Sequence, residues 1–280
     1  MRVAELQSGK GHTDENFPVA SVLIAPRHRP AIMAFYRFVR AADDVADSET
    51  AAPDEKLALL EAMRQSLVGA SDSVPEGVAL RRVLAERRLS PVHALDLLEA
   101  FRRDVTKLRY RDWDDLIDYC RYSAMPVGRY VLDVHGESPA LWPANDALCA
   151  ALQVINHLQD CAKDYRGLNR VYIPEDVLAA EGIGVESLSA PAAGPALRRV
   201  IAGLAVRNAQ LLAKSKPFSK AIHDGRLALE VDLIQTLAQD LNGLLSRRDP
   251  LSQKVHHSKA DIAGLFFARL PGFLLTRVLP

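Results

Sequence analysis

The sequence predicts an all-α fold, and three observations carry that expectation. Apolar residues recur three and four positions apart along most of the chain, the spacing of one helix face. No stretch alternates apolar and polar residues as a half-buried strand would. Proline stands at 30, 53, 75, 91 and 143, each just before an apolar-periodic run. In a first helical turn its missing N–H costs nothing.

Taken in order, the periodicity predicts helices over 30–47, 53–68, 75–88, 91–107, 112–135 and 143–163. A turn at Gly167 leads into the extended piece NRVYIPEDVL and a further helix. A Gly, Ser, Ala and Pro-rich loop follows from 182 to 195, then helices over 196–215 and 218–245. No repeat of solenoid length and no long linker divides the 280 residues, so 1–280 reads as one helical domain. Residues 1–11, which include an incomplete phosphate-loop pattern at Ser8–Gly11, are expected to be a mobile terminus.

The composition narrows the class. Lys plus Arg and Asp plus Glu are 35 each, so no global charge draws the chain to nucleic acid. Cys120, Cys149 and Cys161 are too scattered for a disulfide framework or a zinc site and suggest a reducing cytoplasm. The eight histidines have no H-E-x-x-H context, and His157 reads as a polar neighbour rather than an acid or base. No G-x-G-x-x-G fingerprint is present. The beginning of the chain lacks the order of a signal peptide, which also suits a cytoplasmic protein.

Two acid-bearing segments carry the chemistry. In the first, Tyr36, Arg40, Asp43 and Asp47 fall in one helical row, beside an apolar row containing Phe35, Val39 and Ala46. In the second, Gln153, Asn156, Asp160 and Asp164 form a row next to Leu148, Leu152 and Ile155. Clustered aspartates are commonly solvated surface or turn formers. These sit at predicted helix C-termini, where the dipole disfavours each carboxylate by about 0.3–1 kcal/mol, and a bound cation would reverse that sign. Hard oxygen donors of this kind suit Mg²⁺ bound jointly with substrate phosphates.

The residues FYRFVRAADDVAD and LQVINHLQDCAKDYRGLNRVYIP, with DLIDYCRYSAMPVG between them, resemble the squalene and phytoene synthase family. Within it, GKGHTDENFPVASVLIAPRHRPAIMAFYRF and RRDVTKLRYRDWDDLIDYCRYSA look most like bacterial hydroxysqualene synthases of hopanoid pathways. The likeness covers residues 9–175 well and the later helices loosely. It implies the class I isoprenoid synthase helical fold around a central apolar cavity. By the resemblance, Asp43 and Asp47 match a first metal pair, and Asn156, Asp160 and Asp164 a second metal set. Tyr36, Arg40, Gln153, Arg170 and Tyr172 match positions near the substrate, and Tyr122 matches a tyrosine that assists proton transfer or cation control. Gln159 departs from the pattern, standing where some relatives carry a diphosphate-binding arginine.

The implied reaction is ionisation of presqualene diphosphate, rearrangement and capture by water to give hydroxysqualene, with Mg²⁺ and without NADPH. Metal ions and arginines would stabilise the leaving diphosphate. Phe17, Phe35, Phe38 and Tyr122 are candidate cavity-wall residues, although core packing explains the phenylalanines as well. Met125–Pro126 would kink its helix and reshape the cavity. Arg27, His28 and Arg29 read first as helix-end charges. The implied partners are the diphosphate substrate and a separate presqualene diphosphate synthase that supplies it. The tail ADIAGLFFARLPGFLLTRVLP either packs on the core or rests on a membrane surface. Alternatives are a head-to-head synthase making presqualene diphosphate, squalene or phytoene, and an inactive helical partner that only binds prenyl diphosphates.

Overall fold

The computed structural model describes residues 3–6 and 23–258, together with 261, 262, 264, 265 and 268. Phe17, Ser8–Gly11 and most of the C-terminal tail lie outside the described residues. Within them the chain is helical with no strand. Val3–Glu5 forms a 3-10 turn whose Val3 is buried against the first long helix.

The helices are α1 Arg29–Asp47, α2 Pro53–Val68, α3 Pro75–Arg87, α4 Val92–Thr106, α5 Trp113–Ser123 and α6 Met125–His135. They continue with α7 Trp142–Leu168, α8 Glu175–Ala180, α9 Pro195–Ser215, α10 Phe218–Ala221 and α11 Gly225–Leu245. Proline occupies the first turn of α1, α2, α3, α6, α7 and α9, as its fixed φ and absent donor favour.

Two expected helices are each divided. The run 112–135 breaks at Ala124, so Pro126 opens α6 instead of kinking a continuous helix. The run 218–245 breaks at 222–224, where the Asp224 carboxylate accepts from the amides of Arg226 and Leu227 and caps α11. By contrast, α7 extends five residues past the expected end at 163, and Asn169 closes it in the left-handed conformation with φ 51°. Asp164 therefore lies in the last two turns, but Asn156 and Asp160 stand too far inside for the helix-end dipole to act on them.

The chain groups into two compact units, Met1–Leu108 with Asp118–Pro139, and Arg109–Ile117 with Ala140–Pro280. In the first, Phe38, Val45, Leu60, Met63 and Leu80 form a core between α1, α2 and α3. Tyr130 of α6 stacks on Phe35 at 3.9 Å and donates its hydroxyl to the Ala31 carbonyl at 3.0 Å. Phe35 and Phe38 are thus buried core residues. In the second, α7 packs against α9 and α11. Asn208 of α9, fully buried, donates to the Ala151 carbonyl of α7 at 3.1 Å and to Asn242 Oδ1 of α11 at 3.0 Å. That contact anchors the helix bearing the second acidic row.

Candidate active site

The first unit holds the α1 row. Its i, i+3 and i+4 spacing puts Tyr36, Arg40, Asp43 and Asp47 on one half-buried stripe, while the next residues over face the core. Arg40 reaches forward to two carboxylates, Nη1 to Asp43 Oδ2 at 3.0 Å and Nη2 to Asp44 Oδ1 at 2.6 Å. Asp44 is buried and tied to the guanidinium, so it serves the α1 stripe from the core side. The α1 C-terminus is closed by Lys56 of α2, whose ammonium donates to the Ala46 carbonyl at 3.0 Å.

A fourth acid joins from α4. Asp104 is buried, accepts a hydrogen bond from the Tyr119 hydroxyl at 2.8 Å, and lies close enough to repel Asp43. Burial and the neighbouring Asp47 push the Asp43 carboxyl up to about 7; Arg40 opposes them, and Asp104 and Asp44 add to the rise. Burial dominates even though 34% of the Asp43 side chain meets solvent. A protein gains nothing in stability from crowding carboxylates in this way. A divalent cation would relieve the repulsion, and the donors are the hard oxygens that Mg²⁺ takes. The residues present fit such an ion.

Tyr122 sits differently from Tyr119. Its ring is half-buried beneath the Arg103 guanidinium, 4.1 Å from the centroid. Arg103 is held in turn by Asp118 at 3.0 Å and Glu99 at 3.2 Å. Within the Tyr-Cys-x-Tyr motif, Tyr119 is the member that reaches the acid cluster. Sequence reading missed both Tyr119 and Asp104. The signal was a buried-facing register, with Tyr119 on the same side as Leu116 and Cys120.

The second unit holds the α7 row. Gln153, Asn156, Asp160 and Asp164 are all half-buried on one stripe, while Val154, Ile155, Leu158 and Ala162 face the core. Arg170 and Tyr172 follow the helix and are both buried, with Arg170 Nη1 3.5 Å from the Tyr172 hydroxyl. The His157 ring lies on the Tyr172 ring at 3.5 Å and 14°, and Tyr172 stacks on Tyr110 at 5.4 Å. His157 is buried and its pKa falls to about 3, from burial first and from the Arg170 charge second, so the imidazole is neutral. Gln153 Nε2 is 3.1 Å from His157 Nε2. Gln159 is buried, and its amide donates to the Val255 carbonyl, fastening the segment after α11 to α7. Arg109 donates to the Asn169 carbonyl and, at 2.7 Å, to Asn169 Oδ1, which holds the end of α7.

Each acidic row thus joins partly open oxygen donors to a buried backing, an arrangement able to meet a charged group. Residues 10–261 match the family model for squalene/phytoene synthase. The chain belongs to the squalene/phytoene synthase family. Among squalene/phytoene synthases it is 56% identical over 278 residues to the hydroxysqualene synthase of Zymomonas mobilis, covering 99% of this chain and 94% of that protein. It is 59% identical over 274 residues to the hydroxysqualene synthase of Rhodopseudomonas palustris, covering 98% and 94%. A squalene synthase from Alicyclobacillus acidocaldarius shares the fold with a TM-score of 0.74 at 33% identity, over 88% of this chain and 92% of that one. A ligand-bound dehydrosqualene synthase shares the fold alone, with a TM-score of 0.80 at 20% identity over 98% and 96%.

Proposed function

We propose that this squalene/phytoene synthase family member ionises presqualene diphosphate and captures the rearranged cation with water, releasing hydroxysqualene and diphosphate. The observation that carries this reading is the 56–59% identity to curated hydroxysqualene synthases along nearly their whole length. The acid rows supply the matching chemistry. Asp43 and Asp47 on α1, and Asn156, Asp160 and Asp164 on α7, would hold Mg²⁺ against the substrate diphosphate. Bound there, the ion would act as a Lewis acid that stabilises charge developing on the leaving diphosphate.

The chain's own residues do the rest. Arg40 keeps Asp43 and Asp44 oriented, and Tyr36, Gln153, Arg170 and Tyr172 would contact the substrate. The proton-handling role that the motif suggested for Tyr122 suits Tyr119 better, because its hydroxyl is held by Asp104 beside the α1 acids. No hydride donor enters the reaction, so NADPH is not required. A separate synthase would supply presqualene diphosphate. Among the described residues no helix is long and apolar enough to cross a membrane. Peripheral membrane contact through the C-terminal tail would suit a lipid-soluble product.

The deciding experiment gives purified protein presqualene diphosphate or farnesyl diphosphate with Mg²⁺, with and without NADPH. Hydroxysqualene from presqualene diphosphate without NADPH is the expected result. Phytoene, squalene, or no turnover of presqualene diphosphate would defeat the reading.

A further inference from the structure

We propose that Gln153 orients the water molecule that ends the reaction, and that His157 is the positioning residue that fixes which end of the Gln153 amide meets that water. The inference rests on the hydroxysqualene-forming reading above. Its basis is the contact between Gln153 Nε2 and His157 Nε2 at 3.1 Å, one turn apart on α7. An amide nitrogen can only donate, so the imidazole nitrogen facing it accepts. The ring is packed in place, with Tyr172 covering its face at 3.5 Å and Tyr110 backing Tyr172. His157, Tyr172 and Tyr110 are all buried. With its nitrogen held, Gln153 has its carbonyl oxygen left to accept a hydrogen bond. Gln153 is half-buried on the same stripe as Asn156 and Asp160, which puts the residue on the acid-bearing face of α7.

The step balances without a redox partner. The water oxygen donates a lone pair to the carbocation carbon and forms the C–O bond of the alcohol. One O–H proton then leaves to the diphosphate already released, the strongest base the reaction itself supplies. The Gln153 carbonyl takes no proton. It accepts a hydrogen bond from the water's other O–H, which turns a lone pair toward the cation and makes the oxygen more nucleophilic. A neutral amide suits this task because it holds water without quenching the cation covalently. Positioning of this kind converts a chance encounter into a near-attack arrangement.

The test is the ratio of hydroxysqualene formed to diphosphate released from presqualene diphosphate, with Mg²⁺ and without NADPH. Gln153→Leu removes the acceptor and keeps the volume. His157→Phe keeps a ring on Tyr172 but removes the atom that orients the amide. Both variants should lower the ratio by about tenfold, the missing alcohol appearing as hydrocarbons formed by proton loss from the cation. An unchanged ratio in either variant overturns the proposal. So does loss of all diphosphate release in both variants with wild-type helicity, since the pair would then serve ionisation. If wild-type protein itself makes no hydroxysqualene, it is the functional reading that fails. Wild-type alcohol formation with an unaltered variant ratio sinks the water-orienting role alone.

Discussion

Asp43 carries an electrostatic strain that stability alone does not explain. Its carboxyl is pushed up to about 7 by burial and by Asp47, Asp104 and Asp44, with Arg40 only partly offsetting them. A carboxyl whose folded pKa is raised stabilises the fold while protonated and loses that contribution as pH rises through about 7. Asp43→Asn should therefore raise the melting temperature of the metal-free protein at pH above about 7 while nearly abolishing turnover. Thermal denaturation across pH, run beside the activity assay, checks both halves. A lower melting temperature at high pH would contradict the crowding argument. Asp47→Ala and Asp160→Ala should likewise remove almost all turnover and leave helical circular dichroism intact; full activity in either would refute the metal assignment. These rows were legible because a period of 3.6 places their members on one stripe. The contact of Tyr119 with Asp104 was not, since the two lie 15 residues apart across the turn between α4 and α5. No local period links residues on different helices.

At the scale of elements, helix existence followed from periodicity and proline placement, whereas helix breaks did not. The breaks at Ala124 and at 222–224 fall inside runs whose apolar spacing continues unbroken. Pro126 illustrates the physical difference. In a helix interior it would cost about 3 kcal/mol, and replacement would stabilise the protein. In the first turn of α6 it limits the unfolded chain instead, so Pro126→Ala should destabilise by about 0.4–1 kcal/mol in chemical denaturation. Burial opposes the ionisation of Asp249, yet hydrogen bonds from Ser252 and from the amides of Ala193 and Leu251 hold its carboxyl below the usual range. Stability from a lowered carboxyl is present at neutral pH and lost as pH falls. Asp249→Asn should cost about 1–3 kcal/mol near neutrality. Its deficit against wild type should shrink toward nothing below about pH 4, as urea titrations at several pH values would show.

For the molecule as a whole, the balance of 35 basic and 35 acidic residues leaves no long-range field, so under the proposed function recognition of a diphosphate would fall to the local charges of the two rows and the metal they would hold. Chelation of divalent ions should abolish turnover, and added Mg²⁺ should restore it. Mg²⁺ with inorganic diphosphate should raise the melting temperature more than either alone, by mass action on the folded state. Equal shifts from diphosphate alone would argue against a metal-borne grip. The thiols offer an independent view of the same fold. Cys120 and Cys161 are buried, and burial pushes the Cys161 thiol up to about 12, whereas Cys149 is half-exposed and donates weakly to Asn145. Alkylating reagents attack thiolates. In the native protein a mild reagent will thus mark position 149 first, and mass spectrometry of the slower labelling at 161 becomes a clock for the opening of α7 beside its acidic stripe.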